Sequence, residues 1–236
     1  SHPIGENWES RALEQWQKNK TMIVQGLVAQ YGPHAQQQKI QNFIDLGAAP
    51  FSVVAFHNVF FRQARDAFVM GAYYPALTAI CVLGERVLNH LVLKLRDDFH
   101  GTDEYKRVYR KDSFDDWEQA IETLEAWKVL LPEAAGHFRK LKDVRHRAIH
   151  FNPETERGTR AIALDAFKVF HGIVDAQFTA FGDRPWYIPS DTGVSFVRKA
   201  AEAEPFVCRV ILPSCSLVGP AHRLEHRGDG HFVALD

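Results

Sequence analysis

The sequence has few cysteines, no long hydrophobic run and no excess charge of either sign. Its three cysteines are too few and too scattered among 236 residues for a disulfide framework, so we expect a reducing compartment. Without a long apolar run, and without a charged-then-apolar signal at the N-terminus, the chain is predicted to be cytoplasmic and not to enter a membrane. Lys and Arg number 28 against 29 Asp and Glu, so any polyanion site must be a local patch.

Familiar catalytic and metal-binding signatures are also missing. The chain has no phosphate-binding glycine loop, no dinucleotide fingerprint and no Gly-x-Ser-x-Gly elbow. His146 and His150 have the spacing of two metal ligands on a helix, but arginines flank His146 and the glutamate of a zinc protease is absent. We therefore expect no metal and no cofactor. A second set of metal-ligand residue types has no closely spaced cysteine pair and comprises Cys208, Cys215, His222 and His226.

Apolar residues recur at three- and four-residue spacing through most of the chain, which predicts a mainly α-helical bundle. The helix that follows Pro75 is the most apolar and is expected to form the centre of the core. Ser113 is predicted to be the N-cap of a later helix, with Asp116 three residues on. The predicted helices cover 6–30, 34–46, 50–71, 75–97, a segment after 113, 132–152 and 157–181.

The character of the sequence changes after Gly182. Short β-prone runs at 194–197, 206–212 and 231–235 are separated by turn residues, and 228–230 has the composition of a hairpin turn. We therefore predict a mainly α protein in three parts. These are an N-terminal helical extension at 1–49, a helical bundle at 50–182 and a small β-rich C-terminal appendage at 183–236.

The chemically informative segment is 137–150, at the end of a predicted helix. It carries five Lys or Arg, three His and one acid, although the chain as a whole has no basic excess. Basic residues at a helix C-terminus complement the helix dipole, which accounts for the sign of the charge. Arg145, however, borders the apolar stripe and needs a partner or a ligand. Glu85 is the candidate partner, and a buried Glu85–Arg145 ion pair with only a structural role is an equally good interpretation.

Arg145 and His150 together have the chemistry needed to cleave a phosphodiester. The arginine offers a planar fork of donors to a phosphate, and the histidine can give or take a proton near neutral pH. On a regular helix the two positions differ by about 140°. Their convergence therefore requires the helix to unwind near 148–150, or a second copy of the chain to complete the site.

Arg145, His146 and His150 resemble the hallmark of the HEPN superfamily, an arginine, a polar residue and a histidine near the end of a helix in a small α-bundle. The small-residue turn around Gly71, which leads into the helix of Glu85, is similar to the family as well. The resemblance covers about residues 50–182. It implies a metal-independent endoribonuclease, often a toxin or an antiviral defence effector, whose two copies face one cleft. Some relatives only bind nucleotides or partners.

The resemblance assigns a role to each residue of the motif. His150 is expected to act as general base or acid on the 2′-hydroxyl or the leaving oxygen, and Arg145 to stabilise the phosphate. His146 is expected to orient the site or to make the second proton transfer, and Glu85 to position Arg145. Lys142 and Arg147 are expected to contact the RNA backbone, with solvated basic side chains as the alternative.

The expected partners are RNA, a second copy of the chain, and an antitoxin or other regulatory protein. The homodimer interface is predicted along helix 50–75 and the end of helix 132–152. The apolar residues on which this prediction depends are Phe56, Phe60, Phe61 and Phe68. The alternative function is a non-catalytic helical module that binds RNA, a nucleotide or a protein partner, and a scaffold built on the appendage is a third interpretation.

Overall fold

The computed structural model describes residues 8–50, 52, 58–149, 153–179, 184–188, 196–214, 223–226 and 232–235. Most of them are helical, as the apolar periodicity predicts. A short 3-10 turn, Arg96–Phe99, follows the fourth helix. The main helices are α1 (Ser10–Tyr31), α2 (Gln36–Leu46), α3 (Asn58–Val69), α4 (Tyr73–Leu95), α5 (Asp103–Val108), α6 (Trp117–Ala126), α7 (Pro132–Ile149) and α8 (Pro153–Gln177).

Helix α4 forms the centre of the core, as its composition predicts. Eleven of its residues, between Ala76 and Leu95, are buried, and α3, α6, α7 and α8 pack around it. Within the described residues, Tyr73–Phe99 is the one helical stretch long and apolar enough to cross a membrane. More than half of the most apolar 18-residue window in it is buried inside the bundle.

Helices α4, α6 and α7 approach one another closely at Gly84. A Cβ atom built on Gly84 would lie 2.6 Å from Leu141 Cδ2 and 2.8 Å from the ring of Trp117. The leucine methyl can rotate away, but the indole ring is 2% exposed and has little room to move. The missing side chain at Gly84 therefore sets the distance between the three helices.

The N-terminal extension joins the bundle through α2. Asn42 is fully buried and donates to the carbonyls of Phe68 and Val69 at the end of α3, over 3.1 and 3.2 Å. Its side-chain oxygen accepts from Nε of Arg160 in α8, at 3.1 Å. Helix α1, in contrast, has no buried residue. The extension is therefore anchored mainly by its second helix, whose Asn42 bonds to α3 and α8.

The C-terminal region is only partly β. Strand β1 (Tyr187–Ile188) pairs antiparallel with β2 (Phe196–Val197), and β3 (Arg223–His226) pairs antiparallel with β4 (Phe232–Leu235). The predicted hairpin turn at 228–230 lies outside the described residues.

The predicted strand at 206–212 is wrong, because the chain there forms a π-helix, Val207–Ile211, followed by α9 (Leu212–Ser214). The buried Phe206, Val207, Val210 and Ile211 recur at helical spacing and pack in the common core. Burial of this face decides the conformation against the β propensity of the individual residues.

The starts of two helices also differ from prediction, and one helix was not predicted. Helix α6 is capped by Asp116, whose carboxylate accepts from the backbone N–H of Gln119 at 3.1 Å, rather than by Ser113. Ahead of this cap, the N–H of Phe114 donates to the side chain of Asn89 in α4 over 2.7 Å. Helix α8 begins at Pro153 and is kinked at Gly158, and the short helix α5 was not predicted.

We expect Gly84→Ala to lower the free energy of unfolding by about 1–3 kcal/mol, the usual effect of overpacking a core. Gly136→Ala is the matched control, because Gly136 is also inside a helix and a Cβ there meets nothing within 4 Å. That change should raise the stability by roughly 0.5–1 kcal/mol, since alanine favours a helix over glycine. Urea unfolding measures both values. A gain of stability in both variants would show that the three helices are not in close contact at Gly84.

Candidate functional site

The site predicted from the motif begins with Arg145, which lies near the end of α7 and faces α4. Its Nη2 atom lies 2.9 Å from Oε2 of Glu85, and each side chain is 30% exposed. The predicted ion pair is therefore present. The expectation that it is buried is wrong, because the pair lies at the edge of the core and is partly open to solvent.

Trp117, in the first turn of α6, completes this group. Its indole N–H donates to the same Glu85 Oε2 atom at 3.3 Å, and the Arg145 guanidinium lies 5.8 Å from the centroid of the indole ring. Among the described residues, the buried Nε atom of Arg145 has no hydrogen-bond partner.

Sequence reasoning placed Trp117 only in the core and missed its bond to Glu85. A buried tryptophan usually finds an acceptor for its N–H, which is the one signal that pointed to a polar neighbour. It does not identify that neighbour, because Trp117 and Glu85 are 32 positions apart in the chain. The role of Trp117 emerges only when α6 is packed on α4.

Cys81 lies one helical turn before Glu85 and interacts electrostatically with Arg145. Burial raises the pKa of its thiol to about 12, and the positive charge of Arg145 opposes this shift only partly. The thiol is therefore protonated at neutral pH, and since the thiolate is the reactive form, Cys81 is not a nucleophile there.

The other basic residues of α7 are largely neutralised by the acidic face of α6. Arg139 contacts Glu118 and Glu125, each at 2.7 Å, and the Lys142 ammonium contacts Glu118. The hydrogen bonds from Lys142 and Arg139 lower the pKa of Glu118, which stays ionised. Lys142, expected to contact RNA, is thus held by a carboxylate, and the positive stripe seen in the sequence is interrupted.

The remaining residues of the motif occupy the last turn of α7. His146 and Arg147 are both exposed there. The helix continues through Ile149, so the unwinding expected near 148–150 does not begin before that residue. His150 lies outside the described residues. Its convergence with Arg145 stays a prediction.

A second arginine–histidine pair, missed by sequence reasoning, lies between α3 and α8. The Nη1 atom of Arg65 is 3.4 Å from Nε2 of His171, and Arg65 Nη2 donates to the Gly47 carbonyl at 2.7 Å. Burial and the charge of Arg65 lower the pKa of His171 to about 4, so its ring is neutral at neutral pH. The 106 positions between the two residues leave no local signal. We regard this pair as part of the packing of α3 on α8, because Arg65 is already bonded to the backbone.

The residues that could bind a metal do not cluster. Within the part of the chain that the structure describes, no group of three His, Cys, Asp or Glu side chains is placed to hold a metal ion. Of the second set found in the sequence, Cys215 and His222 lie outside the described residues.

We expect the Glu85–Arg145 pair to contribute about 1 kcal/mol to stability, well below the 3–5 kcal/mol for a buried pair, because solvent screens it. A double-mutant cycle with Glu85→Gln and Arg145→Gln measures this coupling by urea unfolding. A coupling energy near that of a buried pair would mean that solvent does not reach the two side chains.

Comparison of the chain with protein-family models, with curated proteins and with solved structures finds no match. Its function is therefore inferred from the residues at the end of α7 and their surroundings.

Proposed function

We propose that the chain is a metal-independent endoribonuclease of HEPN type, which cleaves RNA by attack of a 2′-hydroxyl on the neighbouring phosphate. The observation that supports this best is the environment of Arg145. Its guanidinium is held by Glu85 beside Trp117, at a partly exposed edge of the core. A phosphate oxygen is a suitable acceptor for the donors that Glu85 does not use.

The proposed chemistry requires no metal. His150 removes the proton of the 2′-hydroxyl or delivers one to the leaving 5′-oxygen, and His146 orients the site or makes the complementary transfer. Arg145 stabilises the charge that develops on the phosphate, and Glu85 fixes the guanidinium in place. Arg147, exposed in the last turn of α7, contacts the RNA backbone. DNA has no 2′-hydroxyl and is not a substrate of this reaction.

The resemblance to HEPN proteins supports a role as a toxin or an antiviral defence effector. An enzyme that cleaves RNA in its own cell has to be restrained, so an antitoxin or other regulatory protein is the natural partner.

We also propose that the active form is a homodimer. Phe61 and Phe68, two of the residues expected in the interface, are instead 6% and 0% exposed in the core, and Phe56 lies outside the described residues. We therefore assign the interface to three exposed apolar residues of α3 and α4. These are Val59, Phe60 and Val82, which are 53%, 43% and 41% exposed. The Arg86 guanidinium lies 4.5 Å from the centroid of the Phe60 ring, which joins α3 and α4 in one exposed face.

This exposed face borders the proposed active site. Val82 and Glu85 are three positions apart on α4, so they are neighbours on the helix surface. An isologous interface through Val59, Phe60 and Val82 would therefore bring two copies of the Glu85–Arg145 pair to one cleft. This arrangement agrees with the shared site that the resemblance implies.

The second candidate is a non-catalytic helical module that binds RNA, a nucleotide or a protein. The observation that favours it is the pairing of Arg139 and Lys142 with Glu118 and Glu125, which leaves little continuous positive surface along α7. In that case the Glu85–Arg145 pair only fixes the register of α4 and α7.

We expect the chain to cleave single-stranded RNA in excess EDTA, to leave 2′,3′-cyclic phosphate ends and to spare DNA of the same sequence. His150→Ala should reduce the rate about 10²–10⁴-fold, the usual contribution of a general acid or base. Arg145→Gln should reduce it by about 10²–10³-fold, as loss of an oxyanion-stabilising donor does. The rates are measured on a labelled oligonucleotide. Cleavage that requires an added divalent ion would contradict the mechanism.

Arg139→Gln is the matched control for Arg145→Gln. Arg139 is also an ion-paired arginine of α7, with 38% of its side chain exposed, but it lies outside the motif. It should retain the wild-type rate. Equal losses of activity in both variants would assign the effect to α7 as a whole, and retained activity in both would favour the non-catalytic module.

The dimer should sediment at about twice the chain mass of 26.9 kDa at micromolar concentration. Val82→Glu should give monomers, because two carboxylates would then be desolvated at the two-fold interface. Leu212→Glu is the control, since Leu212 is also an exposed apolar residue, at 56%, but lies in α9. A wild-type monomer that still cleaves RNA would show that one chain holds the complete site.

A further inference from the structure

A row of neighbouring rings, one pair tilted by 37° and one pair stacked, lies on the surface just beyond the C-terminal end of α4. The His100 ring lies 4.5 Å from the Tyr105 ring, and Tyr105 lies 5.5 Å from Tyr109 with an angle of 28° between the planes. The Arg110 guanidinium, 4.9 Å from the centroid of Tyr109, ends the row. We refer to His100, Tyr105, Tyr109 and Arg110 as the aromatic row.

The two tyrosines are not needed to hold α5 in place. Val108 is fully buried and anchors the helix, and Thr102 caps it by accepting from the N–H of Tyr105. The Arg96 side chain donates to the carbonyls of Val108 and Lys111. Stacking of residues four apart adds only about 0.2–0.5 kcal/mol to a helix. Tyr109 nevertheless stays 40% exposed, so a structural role does not account for the row.

The cations beside the aromatic row lie in segment 105–111, and acidic residues flank this segment on both sides in the sequence. The segment 105–111 contains four cations and no acid. Of these cations, Lys106 contacts Asp103 at 2.7 Å, whereas Lys111 donates to the neutral amide of Gln119 at 2.6 Å. Among the described residues, no carboxylate pairs with Arg110. The nearby acids in the sequence are Asp97, Asp98, Asp103, Glu104 and Asp112, of which Asp98 is bound by Arg209 at 3.2 Å.

We propose that the aromatic row is a binding surface for single-stranded RNA, in which bases stack on the tyrosines and phosphates contact Arg110 and Lys111. Exposed aromatic rings beside cations are the features with which proteins bind single strands without sequence preference. The assignment of this RNA as substrate rests on the proposed function. Duplex RNA fits poorly, because its bases are already stacked on each other.

The chain segment that follows the aromatic row leads back along α4 to the Glu85–Arg145 pair. The Lys111 carbonyl accepts from Arg96, and the Phe114 N–H donates to the Asn89 side chain. The Trp117 indole N–H donates to Glu85. Segment 111–117 therefore runs along α4 over about 16 Å, which is the helical rise over the eleven positions from Glu85 to Arg96. Acidic side chains occupy this stretch, at Asp112, Asp115 and Asp116. We therefore assign the RNA contacts to its two ends, the aromatic row and Arg145.

Binding of a fluorescein-labelled 12-nucleotide oligoadenylate, measured by anisotropy, tests this surface. The full chain carries His150→Ala so that the probe is not cleaved. Tyr109→Ala should weaken binding about five- to a hundred-fold, as the loss of one base–aromatic stack does. Tyr109→Phe keeps the ring and should bind like the parent. Tyr109→Leu keeps an apolar side chain and should bind as weakly as the alanine variant, which separates stacking from any effect on folding.

Each outcome decides the assignment. The assignment would be overturned if Tyr109→Leu bound RNA like the parent. It would also be overturned if Tyr109→Phe and Tyr109→Leu lost RNA affinity equally. If these variants bind normally while wild-type protein cleaves RNA, the nuclease stands and only the aromatic row is wrong. If binding depends on the Tyr109 ring but wild-type protein does not cleave, the RNA surface stands and the nuclease fails. If the chain binds no RNA at all, both fail.

Discussion

The close approach of α4 to α6 and α7 at Gly84 is the constraint on which the candidate site depends. It presses the Trp117 ring and the Leu141 methyl against the α4 backbone. Glu85 is the next residue, so the same contact places its carboxylate beside the indole N–H and the Arg145 guanidinium. A side chain at position 84 would separate the helices and, with them, the three groups. Core packing and site geometry are therefore set by one contact.

The pairing of α6 with α7 uses two of the basic side chains of α7. Arg139 and Lys142 are paired with Glu118 and Glu125, so these two charges serve to join the helices. The described residues of the motif, Arg145 and His146, lie beyond this contact, near the end of α7. A site confined to a helix end favours a substrate that reaches it as a strand over one that covers the helix. In our proposal, Tyr109, Arg110 and Lys111 provide the second contact for such a strand.

Sequence periodicity predicts the bundle well, because a core helix such as α4 shows its buried face directly in the spacing of its apolar residues. The position of Arg145 at the edge of an apolar stripe likewise predicts a partner, and Glu85 is that partner. The degree of burial of the Glu85–Arg145 pair is not predictable, since it depends on how far α6 extends over the two side chains. The helix at Val207–Ile211 and the burial of Phe61 were missed for a related reason. Propensity describes single residues, whereas burial depends on the surfaces that surround them.

Asn42 has a consequence for how the chain can be divided. Its bonds to the end of α3 and to Arg160 link the N-terminal extension with the first turns of α8, directly after the segment that contains His150. Arg160 is further bound by Asp45 of the same extension. A fragment that began at residue 50 would contain the whole resemblance to HEPN proteins, but it would leave two backbone carbonyls and a guanidinium without these partners. The smallest unit that can retain the native end of the bundle therefore begins before α2.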